Sequence, residues 1–315
     1  MTNIEKIGGP ALVKIGDKII YTKDDITVTP ELTLTKNETS MHGETSSHFN
    51  TLQHNIAVTP AAMVTADALQ LLFGAYANLQ LGSRLYSPAS DSVIIWTQAG
   101  MQHEYKMAAL TSLCGLTFST TEQLFDGTVT YTAIGDVSEP ISTADHYVAI
   151  AAAAFTQASY DESKEFQLVY SAAWGAAPFD AIETQAGFKF AFALATEDDI
   201  SDSYGIYNKT VTGFGATGTF SPIGITEAQI LTAMGVQGAG AVRGRRMAAM
   251  ARDLILTTGV EGDPYFKLFN CILTAAPSQH GRTANNMGEL SLAAERKFTA
   301  GVVQPLFEIG LTPAA

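Results

Sequence analysis

The chain has 315 residues, 46% of them hydrophobic and 16% charged, and its 18 lysines and arginines against 31 aspartates and glutamates give a formal net charge of −13. That length suffices for two ordinary domains, each able to bury its own core. The acidic balance argues against a positive surface that grips nucleic acid, though not against one past which nucleic acid slides. Met1–Pro10 has no basic head followed by an apolar run, so no secretory signal is expected. The longest apolar stretch, Tyr147 to Phe155, is far shorter than the ~20 residues of a membrane helix, so no helical membrane protein is expected.

Residues 1–10 read as an N-terminal arm ending at Gly8-Gly9-Pro10. From Ala11 short apolar runs alternate with turns: Ala11–Ile15, a Gly16-Asp17 turn, then Lys18–Tyr21, the order of a hairpin. Ile26–Thr35 opens Ile-Thr-Val-Thr, apolar on one side and hydroxylated on the other, which predicts a strand with one wet face. Pro30 marks an edge, bend or bulge in it. Asn37–Phe49 has almost nothing to bury and is predicted to be a mobile connection. Leu52–Thr59 resumes the sheet, and Thr65 caps a short amphipathic helix with Leu69, Leu72 and Phe73 on one face.

Strands are predicted at Ser92–Thr97, Glu104–Leu110, Leu113–Ser119 and Thr128–Ile134. Asp136–Lys164 follows as an ordered crossover, because Val148, Ile150 and Phe155 would otherwise be stranded in water. Beyond it, strand-like Gly187–Thr196 and Val211–Phe220 flank a second polar loop, Glu197–Gly205, before a second helix at Thr226.

Motifs for chemistry are missing. Cys114 and Cys271 lie in apolar runs with no nearby cysteine or histidine pair, the setting of buried small hydrophobes rather than of a disulfide or reactive thiol. His42, His48 and His54 form the one histidine cluster, but without the short ligand spacing of a zinc site. Glu197, Asp198, Asp199 and Asp202 lack the spacing of a calcium loop. Gly238–Gly244 looks like a dinucleotide fingerprint, yet it has one residue too many before its last glycine and follows a predicted helix rather than a strand. Arg243, Arg245, Arg246 and Arg252 make the densest positive patch; pairing with a neighbouring subunit's carboxylates, phosphate contact and a solvated loop all stand open for it. With no GxSxG elbow, HExxH helix or P-loop, the expectation is a non-enzyme with no cofactor and no metal.

The chain also resembles itself. Ser92–Thr97 and Asp253–Thr258 share an apolar pattern at an offset of 161 residues (253 − 92), and at that offset Thr65 falls on Thr226, Leu69 on Ile230, Phe73-Gly74 on Met234-Gly235 and Tyr105 on Phe266. Ile26–Thr35 falls on Gly187–Thr196, and after an insertion Leu116-Thr117-Phe118 is matched to Leu290-Ser291-Leu292, and Phe125, Gly127 and Ile134-Gly135 to Phe298, Gly301 and Ile309-Gly310. The period is too long for a solenoid. The expected organisation is an arm at 1–10, one β domain at 11–135, a crossover at 136–164 and a second copy at 165–315.

Taken in order, Asp25–Glu31, the polar loop, the strand Asn55–Pro60 and the following helix, with Thr219–Gly224 before Thr226 in the second copy, resemble the tail tube (major tail) proteins of long-tailed bacteriophages and prophages. The resemblance covers nearly the whole chain through pattern and short matches; Gly187–Leu194 lacks an equivalent of Pro30. It implies a mainly β fold: two tandem tail-tube-like β-sandwich or barrel domains, each with a short α-helix and long hairpins that form an inner β-barrel on assembly. Six such units usually line one ring in that family, so a chain supplying two implies a trimeric ring with pseudo-sixfold symmetry. Rings would stack into a virion tail tube made in the bacterial host cytoplasm. Implied partners are the chain itself, a tape-measure protein, tail tip and terminator proteins, and genomic DNA in transit without specific binding.

On that resemblance Glu31, Glu38, Glu44, Asp198, Asp199 and Asp202 are candidates for lumen or inter-ring charge, since carboxylates repel a phosphate backbone. Arg243, Arg245, Arg246 and Arg252 are the candidate intersubunit cations. The inner tube of a contractile injection system, with protein cargo, fits the same pattern. A carbohydrate-binding or adhesin module fits less well, because Trp96 and Trp174 sit in apolar surroundings rather than on an exposed sheet face.

Overall fold

A computed structural model describes residues 5–7, 11–39, 41, 43–74, 76–86, 92–97, 100–136, 146–151, 161–165, 170–175, 179–234, 251–275, 278–280, 285–296, 298–299 and 302–313. Its strands in the first half are β1 (Glu5–Ile7), β2 (Ala11–Ile15), β3 (Lys18–Tyr21), β4 (Ile26–Thr39), β5 (Gly43–Val58), β6 (Val93–Thr97), β7 (Met101–Tyr105), β8 (Ala108–Ser112), β9 (Gly115–Phe118), β10 (Phe125–Asp126), β11 (Val129–Ala133) and β12 (Tyr147–Ala151). The second half adds β13 (Ser171–Trp174), β14 (Glu183–Ser201), β15 (Gly205–Ile223), β16 (Arg252–Thr257), β17 (Pro264–Ala275), β18 (Ser278–His280), β19 (Asn285–Met287), β20 (Leu290–Ala294), β21 (Phe298–Thr299), β22 (Val302–Val303) and β23 (Phe307–Leu311). Two short helices, α1 (Ala66–Leu69) and α2 (Glu227–Ala233), complete the described elements with a wider helical turn at Gln70–Gly74 and a 3-10 turn at Glu162–Lys164.

The fold is mainly β, with its strands paired antiparallel throughout the described residues. One sheet runs β1-β4-β5-β11-β8, a second β12-β7-β6-β2-β3, and a third β10-β9-β14-β15-β20-β17-β16-β13, with β23 also on β17. The Gly16-Asp17 turn closes β2–β3 as expected, and Gly16 takes the positive φ of 58° that a tight turn demands. Both helices start where the sequence places them. The Thr65 side chain accepts from Ala68 N, and Thr226 forms a reciprocal capping box with Gln229.

The two polar segments expected as loops are strands. Asn37–Thr39 and Gly43–Phe49 belong to β4 and β5, and Glu197–Ser201 to β14, so the strands of the second hairpin are parted only by the turn at residues 202–204. The reason is register: a hairpin once started by Ile26, Val28, Ile56 and Val58 continues by backbone pairing, whatever its side chains bury. β14 and β15, each 19 residues long, reach ~60 Å at the usual rise per residue.

The pairing patterns of the two halves coincide in detail. In β4–β5 the register shifts between Thr33 and Leu34 and again between Asn37 and Glu38; in β14–β15 it shifts between Ala195 and Thr196 and between Asp199 and Ile200, each 162 residues on (195 − 33, 199 − 37). A further shift sits where β11 passes β8 at Thr130/Tyr131 and where β20 passes β17 at Ser291/Leu292. The order β2-β6-β7-β12 is matched by β13-β16-β17-β23, with Tyr147↔Tyr105 answering Phe307↔Leu268.

These registers revise several sequence correspondences; Tyr105 answers Leu268 rather than Phe266, and Phe125 answers Met287 rather than Phe298. The hairpins align at 162 rather than 161, so Ile26 matches Phe188, and the one-residue slip exchanges the two faces. Leu290–Leu292 matches Val129–Tyr131, not Leu116–Phe118, because both pair with the second hairpin strand at equivalent places: Val58 and Ile56 in one case, Phe220 and Gly218 in the other. Tyr147–Ala151, taken as part of a crossover, is an edge strand on β7 in the place that β23 occupies on β17.

Buried side chains from both halves make one continuous core. Phe73 lies 5.4 Å from Phe192 and 6.2 Å from Phe307, and Phe118 contacts Phe190 at 6.0 Å and Phe266 at 5.9 Å. The main chain follows suit, since β9 of the first half pairs with β14 of the second. Trp174 is buried and donates to Cys271 O at 3.3 Å, whereas Trp96 is half-buried. Cys114 and Cys271 are free and buried, and burial pushes both thiols up to about 12, the inert state expected of them.

Candidate functional site: open hairpin edges and a hydroxyl-rich face

Each long hairpin is anchored at its base and bare along its outer length. Apart from its own hairpin partner, no described strand pairs with β4 beyond Val28, with β5 before His54 or with β14 beyond Phe190. β15 is better covered: β20 pairs with Thr217–Phe220, and the segment Gly82–Tyr86 hydrogen-bonds along Asn208–Val211, with Leu85 N on Lys209 O at 2.9 Å and Val211 N on Ser83 O at 2.9 Å. A row of unpaired backbone groups is a joining surface.

The two faces of these hairpins differ. On the core face Ile26 and Val28 are buried, and the same side of β4 continues outward as Leu32 and Leu34, which are 54% and 45% exposed. Leu32 stands opposite Leu52 and Leu34 opposite Phe49. In the second hairpin Phe188 and Phe190 are buried, Phe192, Leu194 and Phe214 pack at the margin of the core, and Ile200 is 62% exposed. Apolar stripes therefore run beyond the body that covers their inner ends.

The opposite face is polar or small. Gln53 Nε2 donates to Glu31 Oε2 at 2.6 Å, Asn50 bonds Thr35, Thr132 Oγ1 donates to Asn55 Oδ1 at 2.8 Å, and the Thr111 and Thr132 hydroxyls meet at 2.9 Å. Along β14–β15 the same side carries Lys189, Ala191, Ala193 and Ala195 against Thr219, Thr217, Gly215 and Gly213. Along β14–β15 this face is open and offers hydroxyls and methyls and few cations, whereas Thr51 and Thr132 on the first-half face are buried.

The acidic candidates divide by environment. Glu31 is exposed; with Thr33 and Thr51 it lines a cavity of about 160 Å³ whose other wall is Asp198, Ile200 and Ile206. The structure thus brings Glu31 and Asp198 together from different hairpins. Asp198 is ion-paired with Lys209, which is only 7% exposed, so its charge is offset locally. Asp199 accepts from the Thr210 hydroxyl at 2.9 Å, and Asp202 is exposed in the turn. Glu38 and Glu44 stand opposite one another in the hairpin register, next to its tip. The acids do not recur position by position: at an offset of 162, Glu38 and Glu44 fall on Ile200 and Ile206.

Of the basic candidates, Arg243, Arg245 and Arg246 lie outside the described residues, as does Gly238–Gly244. Arg252 opens β16, exposed, with its side chain over Gly175, where an added Cβ would come within 2.3 Å of Arg252 Cδ. His42 also lies outside the described residues, and His48 is in β5 opposite Thr35.

His54 has different neighbours from those its sequence suggested. Its ring is 5.3 Å from Tyr105 and 6.5 Å from His146, and burial, followed by the His146 charge, lowers its pKa to about 4. Among the described residues no group of three or more His, Cys, Asp or Glu side chains is arranged to hold a metal. No helix of the described residues is long and apolar enough to cross a membrane.

A scan against protein-family models and a search of curated proteins give no match to this chain. Sequence reasoning placed β9 within its expected strand Leu113–Ser119 but not the pairing of β9 with β14, and it missed β10 and the strap Gly82–Tyr86 on β15. The strap, Gly-Ser-Arg-Leu-Tyr, has no strand-like alternation, and only the apolar Leu116 and Phe118 marked β9 as a strand at all.

Proposed function

We propose that the chain is a structural subunit of a phage tail tube, in which two fused copies of one β domain supply two of six wall segments and three chains close a ring. The observation that carries this reading is the pair of long hairpins: both register shifts of β4–β5 recur among the three of β14–β15, 162 residues on (195 − 33, 199 − 37). Bulges re-aim strands and set their curvature, so two hairpins with the same bulges bend alike and can take equivalent places in one closed wall.

Open outer edges on β4, β5 and β14 and the exposed apolar ends Leu32, Leu34 and Ile200 support assembly, because a monomer leaves both unsatisfied. Each interchain backbone hydrogen bond contributes about 0.5–1.5 kcal/mol net, so a ring gains stability from the number of such bonds along long edges. The hydroxyl and alanine face, together with the net charge of −13, suits a bore through which DNA passes without sticking. Partners on this reading are further copies of the chain, a tape-measure protein, tail tip and terminator proteins and genomic DNA in transit. Its place is the virion tail, and it has no catalytic role.

Negative-stain electron microscopy of purified, concentrated protein tests this directly. Rings or tubes of uniform bore are expected, and a monodisperse monomer that never assembles contradicts the reading.

A further inference from the structure

The outer edge of each long hairpin is filled at three equivalent positions, but by different strands. On β14 the filler is β9, paired Phe118↔Phe188, Thr117↔Lys189 and Leu116↔Phe190. On β4 it is the arm strand β1, paired Ile7↔Ile26, Lys6↔Thr27 and Glu5↔Val28. Ile26, Thr27 and Val28 become Phe188, Lys189 and Phe190 at the offset of 162 that the hairpin registers set (188 − 26).

β9 does not act alone, for β10 covers its other side through Phe125↔Leu116 and Asp126↔Gly115. β18 and β19 form the corresponding ladder in the second half. Their pair Met287↔Ser278 is Phe125↔Leu116 moved by 162 on both strands (287 − 125, 278 − 116). β9 therefore reaches from the first half to the hairpin of the second, while β18, its counterpart, pairs with no described strand besides β19. The hairpin that would follow the second half is the first hairpin of another copy.

We propose that β18 of one protomer adds antiparallel to β4 of the next, in the register Ile26↔His280, Thr27↔Gln279 and Val28↔Ser278, and that the arm strand Glu5–Ile7 holds this edge until then. The inference rests on the ring reading and names its joint. The contact is heterologous, head to tail, and repeats until the ring closes. Strand addition supplies main-chain hydrogen bonds without needing a preformed pocket, which is how β9 already joins the two halves within one chain. Three residue pairs are given up at β1 and three are gained at β18, so the arm delays joining without opposing it strongly.

Thr27 reports the exchange, because it faces Lys6 in the free chain and Gln279 in the proposed joint. Paired Cα atoms across antiparallel strands sit ~4.5–5.5 Å apart, within disulfide reach. A chain carrying Thr27→Cys and Gln279→Cys, assembled and then oxidised with copper–phenanthroline, should give covalent dimers and trimers on a non-reducing gel, and neither single variant should. Buried Cys114 and Cys271 add little background. A second chain, Lys6→Cys with Thr27→Cys, oxidised before assembly, should assemble at least tenfold more slowly than when reduced, and removal of residues 1–7 should speed assembly.

Rings that form without the 27–279 link overturn the joint and leave the ring reading standing, as does a locked arm that leaves the assembly rate unchanged. A 27–279 link confined to single chains overturns it as well. If the unaltered chain makes no rings, both readings fall.

Discussion

Met107 and Asn270 occupy the same bend in two equivalent strands. They are the two non-glycine residues with positive φ among those described, at 48° and 47°. Each interrupts or bends its strand, between β7 and β8 in one case and within β17 in the other. The same backbone bond seats both: Ile134 N donates to Met107 O at 3.2 Å, and Glu295 N donates to Asn270 O at 3.1 Å. A left-handed residue costs about 1 kcal/mol or more unless its surroundings hold it, and here one backbone bond holds each of the two.

Asn270 is the more heavily tied of the two. Its side chain donates to Glu295 O at 3.0 Å, and its N–H donates to Asp253 Oδ1 at 2.9 Å. Asn270→Ala should destabilise the fold by about 1–2 kcal/mol through the lost bond and the strained φ, and Asn270→Gly by less than Asn270→Ala. Urea midpoints for the three chains check the order; alanine tolerated better than glycine contradicts the backbone argument.

Phe266 is fully buried, 4.3 Å from Phe190 and close to Phe118 and Phe307. Phe266→Ala should cost about 3–5 kcal/mol. Because Phe118 belongs to the first half, calorimetry should show one transition moving as a whole. Two transitions, with only the later one shifted, would contradict a shared core.

How far the sequence alone leads is clearest where one residue decides. Thr65 and Thr226 announce the helices, Gly16-Asp17 announces its turn, and Ile26-Thr27-Val28-Thr29 announces a wet-faced strand, because each signal is local. The outer hairpins were not legible, since Asn37–Phe49 buries too little to betray a strand whose order comes from pairing with its own return. The offset changes from 162 in the hairpins to 161 at the helix caps because the second half is one residue shorter between Val58 and Thr65. Reading the helix offset into the strands therefore inverted their faces. Of the candidate site, the polar side of β4 was visible and the partner of Glu31 across the cavity was not, because Asp198 arrives from a distant hairpin.

His54 makes stability depend on pH. Its folded pKa of about 4 lies below its ordinary value of 6.5, so the folded state binds fewer protons than the unfolded chain. The stability it contributes is complete above pH 6.5 and is lost as pH falls towards 4. Melting temperatures at pH 7 and pH 4.5 should diverge less in His54→Gln than in the unaltered chain. An equal fall in both would place the acid sensitivity elsewhere.

Lys209 is held almost out of solvent against Asp198. Asp198→Ala strands the ammonium and should cost about 1.5–3 kcal/mol, the range for hydrogen bonds to charged groups. Asp202→Ala, in the exposed turn, should stay within about 0.5 kcal/mol. Chemical denaturation of both variants checks the contrast, and equal effects would mean that the pair contributes nothing.

The central claim is that one chain supplies two wall segments, and the mass of the smallest closed ring measures it. Native mass spectrometry should find three chains of 33.4 kDa, about 100 kDa in all. Rings of six chains, about 200 kDa, would contradict the claim.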